Sequence, residues 1–174
     1  MPDSFHYGID TLTVDKTIAI ASGKLKAVLH PDAIKRIKKS QEDVAKIVAN
    51  NKTVYGINTG FGILANTKIS EEDTATLQHK LLQSHSVGVG DAIPVEIAKI
   101  MLITKVHALT KGFSGIRLST IERIIWHIEN NIIPVVPEKG SVGASGDLAP
   151  LAHLFLPLIG LGEVFATNGH EWTR

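Results

Sequence analysis

The chain has 174 residues, 44% hydrophobic and 20% charged, with a net charge of +1 at neutral pH. That composition suits a globular domain able to bury a core without staples, and the absence of cysteine removes disulfides and thiolate metal sites. Near-neutral charge with 5% aromatic residues gives no electrostatic basis for nucleic-acid binding, and no apolar run reaches the ~18 residues of a membrane-spanning helix. The start, MPDSFHYGID, lacks the basic and apolar segments of a secretory signal, so a cytoplasmic location is expected.

In chain order, the first 30 residues carry two readings. Leu12, Val14, Ile18 and Ile20 alternate as in a short β-hairpin, while Val14 to Ala21 reads equally well as a helix. From Pro31, a helix is predicted through Ile34, Ile37, Val44, Ile47 and Val48, ending at Asn50-Asn51. Its basic residues Lys35, Arg36, Lys38 and Lys39 read as a solvated face. A glycine-bearing segment, YGINTGFGILAN, follows at 55–66. Ser70, with Asp73 three residues on, reads as a capping-box variant for a second helix through Leu77, Leu81 and Leu82, which stops at Gly88 and Gly90. Pro94 opens a third helix with Ile97, Ile100, Met101 and Leu109, closed by Gly112. Ser119 and Glu122 read as a capping box for a fourth, through Ile121, Ile124, Ile125 and Ile128.

The next stretch, IIPVVPEKGSVGASGD, is so rich in proline and glycine that no regular structure is expected in it. Asp147 reads as the N-cap of a last helix, Leu148 to Ile159, apolar almost all round and therefore buried. Pro150 suits its first turn, where an amide hydrogen would lack a partner. The fold class is mainly α: one α-rich domain over 1–174 with two glycine-rich loops. The ending GHEWTR carries no stop signal, so a longer parent protein is expected.

Three chemistries compete for the second loop. Ala144-Ser145-Gly146 can be a small-residue turn. A serine-hydrolase elbow, G-x-S-x-G, would need glycine at 147, where Asp147 stands, and nothing supplies the rest of a triad. The third option makes the main chain the reagent. If the loop is compressed, the Gly146 nitrogen can approach the Ala144 carbonyl carbon and close a five-membered ring. Loss of two waters, one from the Ser145 side chain, then leaves an exocyclic methylene. Gly146 lets the chain bend and Ala144 leaves room. The product is an electrophile made without an external cofactor, with the positive end of the helix that starts at Asp147 nearby.

The segment GSVGASGDLAPLAH, residues 140–153, resembles the signature of the aromatic amino acid ammonia-lyase family, whose methylidene-imidazolone group forms from Ala-Ser-Gly. Tyr55-Gly56-Ile57-Asn58-Thr59-Gly60-Phe61-Gly62 is similar to the same family's tyrosine loop, in the same order and at the family's separation. The resemblance covers most of the chain. It implies non-oxidative removal of ammonia from an aromatic α-amino acid: the substrate amine adds to the methylene, and a base takes the β-proton. In an older alternative the electrophile attacks the aromatic ring. The resemblance makes Tyr55 the base, although a phenol with pKa near ~10 needs its pKa lowered for that task. It also implies a Gly62 amide near the substrate, with Phe61 as packing.

Ser84-His85 resembles the pair found in histidine-specific members, against Phe-Leu or His-Leu in phenylalanine or tyrosine lyases. An imidazole substrate needs a hydrogen-bonding partner where a phenyl ring does not. The implied reaction is L-histidine to trans-urocanate and ammonia, the first step of histidine degradation; some aminomutases of the family carry a similar pair. Asp147 is expected to cap its helix, to polarise the loop during ring closure, or to do both. The family's long-helix bundle and several pocket residues would lie beyond 174, and its enzymes are homotetramers with shared active sites. The isolated chain is therefore expected to be inactive.

The remaining histidines (His6, His30, His79, His107, His127, His153, His170) show no H-E-x-x-H spacing and read as structural, so no metal site is expected. His153 is expected to be buried and hydrogen-bonded. A nucleotide-binding module is the remaining alternative: Gly60-Phe61-Gly62-Ile63-Leu64-Ala65 matches G-x-G-x-x-A. No convincing strand precedes it, and about 20 residues on stands Gln83-Ser84-His85, with no acid for a ribose.

Overall fold

The structure is a computed structural model that describes residues 4–50, 53–57, 59, 69, 71–143, 146–167 and 172–173. Strand β1 (Phe5–Tyr7) and strand β2 (Ala27–Leu29) pair in parallel, joined by helix α1 (Val14–Ala21). Of the two readings of the start, the helix forms and the hairpin does not. The Thr13 side chain caps α1 by accepting from the Lys16 amide, and helical spacing buries Thr17 and Ile20 while Val14 and Ile18 face outward. Because a helix intervenes, the flanking strands run parallel, as a crossover requires.

Helix α2 (Pro31–Ala49) begins where its proline predicts. Its N-cap is His30, whose Nδ1 accepts from the Asp32 amide at 3.1 Å, a role that sequence pattern did not signal. Exposed pairs Lys35–Asp32 and Lys39–Asp43 fit the solvated face, but Arg36 turns inward and donates to the Gly8 carbonyl at 3.0 Å. Helix α3 (Glu71–His85) follows; Ser70, its predicted cap, lies outside the described residues.

Helices α4 (Val95–Leu109) and α5 (Leu118–Glu129) pack on one another and carry the centre of the core. Leu102, Ile103 and Val106 from α4 meet Ile121, Ile124 and Ile128 from α5, with Phe5, Tyr7 and Ile37 closing the cluster. Each such side chain contributes roughly 1.5–3 kcal/mol relative to exposure. The Ser119–Glu122 capping box does not form. Arg117 is the N-cap, without a side-chain bond, and α5 starts at Leu118, so Ser119 already lies one step inside the helix. From there its hydroxyl cannot reach the orphan amides that an N-cap serves.

The breaker-rich stretch also departs from expectation. Strand β4 (Ile132–Pro134) pairs antiparallel with β6 (Val164–Thr167), which pairs with β7 (Trp172–Thr173). Strand β5 (Pro137–Lys139) pairs antiparallel with β3 (Val89–Ala92), in the glycine region expected only to end α3. The proline-bearing strands β4 and β5 are short and lie at sheet edges, where a missing amide hydrogen is tolerated.

The last helix is divided. Helix α6 (Leu148–Phe155) gives way to a 3₁₀ turn over Leu156–Ile159, because Pro157 cannot donate to the helical ladder. Ala149, Ala152, Leu154 and Leu156 are buried, but Leu148 is exposed, so the segment is buried along one side rather than all round. No described helix is long and apolar enough to cross a membrane.

Candidate active site

Helix α3 ends at His85 and brings Ser84 and His85 to a cleft of about 230 Å³. Val87 continues that wall; residues 140–143 and 147–149 form the opposite one. Three predicted site residues, Ser84, His85 and Asp147, therefore share one cavity. They come together because α3 packs against α6 and because β3 pairs with β5, which leads directly into the second glycine-rich loop.

Ser84 Oγ and His85 Nδ1 converge on the Leu81 carbonyl, at 3.1 and 2.8 Å, and lie 3.1 Å from each other. A carbonyl only accepts, so Nδ1 carries the imidazole proton. In the neutral ring Nε2 is then the lone-pair nitrogen, able to accept from an N–H donor. The ring is held by its own helix, which fixes this tautomer.

Across the cleft, Gly146 (φ 79°) and Asp147 (φ 57°) are consecutive left-handed residues. Aspartate tolerates that conformation better than most side chains, and glycine adopts it freely. Asp147 occupies the N-cap position of α6 but makes no side-chain cap bond. Capping needs an extended backbone that folds the carboxylate onto the first helical amides; the left-handed backbone directs Oδ1 to Ser141 Oγ, which donates to it. Ser141 Oγ in turn accepts from the Gly143 amide at 3.3 Å. Ser141 and Asp147 thus tie together the two ends of the segment containing the tripeptide. Ala144 and Ser145 themselves lie outside the described residues, as do Gly62, Phe61 and the rest of the G-x-G-x-x-A segment at 60–65.

His153 lies on α6, one turn beyond the cleft. Its Nε2 accepts from the Gly88 amide at 3.0 Å, so the ring is neutral with its proton on Nδ1. Burial lowers its pKa from the ordinary value of 6.5, which favours that form. The expectation of a hydrogen-bonded histidine in the signature holds, with the ring partly rather than fully buried.

Tyr55 stands in a turn, 62% exposed, and does not line the cleft. Sequence reasoning did not single out Ser141, Val87, Val142 or Leu148 as cleft residues. Ser141 lies inside the GSVGASGD segment, so its place in the motif was the available signal. Among the described residues, no group of three His, Asp or Glu side chains is placed to hold a metal.

Comparison with known proteins accords with this geometry. The chain is 49% identical over 156 residues to the histidine ammonia-lyase of Caldanaerobacter subterraneus subsp. tengcongensis; the match covers 90% of this chain and 31% of that protein. Its fold is similar to the crystal structure of histidine ammonia-lyase from Trypanosoma cruzi (TM-score 0.86, 35% identity, 98% of this chain and 33% of that one). It is also similar to the tyrosine aminomutase of Streptomyces globisporus (TM-score 0.87, 30% identity, 98% and 32%). The chain thus spans about a third of the length of these relatives. The sequence profile of the aromatic amino acid lyases matches residues 12–173, nearly the whole chain, and the chain belongs to that family.

Proposed function

We propose that the complete protein is a histidine ammonia-lyase, a carbon–nitrogen lyase that converts L-histidine to trans-urocanate and ammonia in the cytoplasm. The observation that carries this reading is the shared cleft, in which Ser84 and His85 face the loop that flanks Ala144-Ser145-Gly146. A substrate imidazole carries an N–H donor, and the lone pair on His85 Nε2 is its complement. A phenyl ring would leave that lone pair unmatched in a closed site at a cost of about 1–3 kcal/mol, which favours an imidazole substrate.

A methylidene-imidazolone formed from residues 144–146 would supply the electrophile that makes the amine a leaving group. The flanks suit such a loop: the left-handed pair at 146–147 turns the chain sharply, and the Ser141–Asp147 bond draws its ends together. Asp147 polarises the loop in this reading rather than capping the helix. Tyr55 takes the β-proton, and the Gly62 amide approaches the substrate. The cleft has an exposed apolar rim, with Val142 92% exposed beside Val87 and Leu148. That rim supports a site completed by further protein, in keeping with a homotetramer that shares its active sites. An aminomutase is the second reading, favoured by the equally close backbone match to the tyrosine aminomutase.

The test uses the protein at its natural full length. Intact mass should show a deficit of two waters mapping to the peptide containing Ser145, and histidine should yield urocanate. Ser145→Ala should abolish both the deficit and turnover. A ring-bearing protein that releases a β-amino acid instead would establish the aminomutase reading. Unmodified mass in an active wild-type enzyme would remove the electrophile from the mechanism.

A further inference from the structure

The two walls of the cleft meet at one backbone crossing. Gly88, just past the end of α3, passes so close to Gly140 that a Cβ on Gly140 would lie 2.8 Å from the Gly88 Cα. Gly140 also has φ 129°, a conformation that side chains rarely adopt. On its other side, a Cβ on Gly88 would meet His153 Nε2 at 3.0 Å and Pro137 Cβ at 3.1 Å. The crossing therefore stacks α6, the chain leaving α3 and the base of the 140–147 loop with no room between them. Its polar fastening is the bond from the Gly88 amide to His153 Nε2.

We propose that His153 is a positioning residue: by accepting from the Gly88 amide it holds Gly88 against Gly140, and so fixes Ser84 and His85 relative to the loop that carries residues 144–146. His153 does not line the cleft. It acts through Gly88, three residues from His85, and Gly140, one residue from Ser141. Because α6 begins at the loop's far end, one imidazole couples three segments whose relative placement determines where a substrate ring lies with respect to the electrophile. An interaction of this kind must be an acceptor, since the group it fastens is an amide N–H; a glutamine carbonyl can replace it, and leucine of similar bulk cannot.

This inference rests on the lyase reading for its kinetic consequence, but the fastening can be tested separately. At natural full length, His153→Leu should lower histidine turnover per ring-bearing molecule by about tenfold, the equivalent of one unsatisfied, partly buried amide. The ring-bearing fraction is counted by intact mass, so loss of folded or modified protein does not enter. His153→Gln should recover turnover to within about threefold of wild type. Amide hydrogen exchange at Gly88 should rise in the leucine variant and stay slow in the glutamine variant. Equal turnover per ring-bearing molecule in the leucine variant, or unchanged exchange at Gly88, overturns the proposal. If wild type lacks the ring, the lyase reading fails, and the exchange measurement still decides whether His153 fastens Gly88.

Discussion

Around α4 and α5, Leu102, Ile103, Val106, Ile121 and Ile124 are sealed from solvent, whereas in the cleft Ser84, Ser141, Gly143, Asp147 and Leu148 are all exposed. The first region is ordered by apolar area, which is non-directional and tolerant of small shifts. The second is ordered by left-handed backbone, close glycine contacts and a few hydrogen bonds, which are directional and weak one at a time. A core of that kind can carry stability for both, leaving the cleft free to hold conformations that its own contacts would not sustain. The division predicts that substitutions in the two regions fail differently.

The largest effect on stability is expected in the core. Leu102→Ala removes a side chain that is 2% exposed at the centre of the cluster, and should cost about 3 kcal/mol, read as a lowered denaturant midpoint. Activity per folded molecule should hardly change. A loss under about 1 kcal/mol would mean that the site collapses around the gap and that the core is less rigid than its burial implies.

The cleft should behave in reverse. His85→Leu exchanges an imidazole held by its own helix for an apolar group and should leave the denaturant midpoint close to wild type. It should reduce kcat/KM for histidine about 10- to 100-fold, the range set by an unpaired polar group, and affect phenylalanine far less. Equal losses on the two substrates would take His85 out of the specificity pocket.

The same contrast explains what could be read from the amino-acid order. Helices α2, α4 and α5 announce themselves because isoleucine, leucine and valine recur at helical spacing, a local property. The short strands do not. β1 finds β2 more than 20 residues away, β3 finds β5 across two helices, and Pro134 and Pro137 disguise β4 and β5 as loop. Ser119 misleads because a cap depends on where the helix starts, and the N-cap of α5 is Arg117, two residues earlier. In the cleft, Ser84, His85 and Asp147 were legible through motif resemblance. The partnerships of Ser141 with Asp147 and of His153 with Gly88 were not, since hydrogen bonds across a fold leave no periodic trace.

Acidification should produce the smallest effect and bears on both regions at once. His107, at the core's edge, accepts from the Gly8 amide through Nδ1 at 3.3 Å, and its pKa is lowered by burial and by Lys111, with Asp10 acting the other way. His153, beside the cleft, is lowered by burial. Both are neutral acceptors in the fold, so below pH 6.5 the unfolded chain binds protons at these positions more readily than the folded one. Stability is then fully present above that pH, declines as pH falls through the window between the unfolded and folded values, and levels off below the folded ones. Asp10 has a pKa lowered from 3.8, chiefly by the His6 amide, so its contribution is lost only at more acid pH and does not mask the histidines. Denaturant midpoints between pH 8 and 5 should therefore fall on the acid side. His153→Gln should flatten part of that slope while keeping the Gly88 bond, and the part that remains reports His107. A midpoint that stays level across the whole interval would mean that neither ring is held as a neutral acceptor, and that core and cleft are fastened at these two points by something other than imidazole.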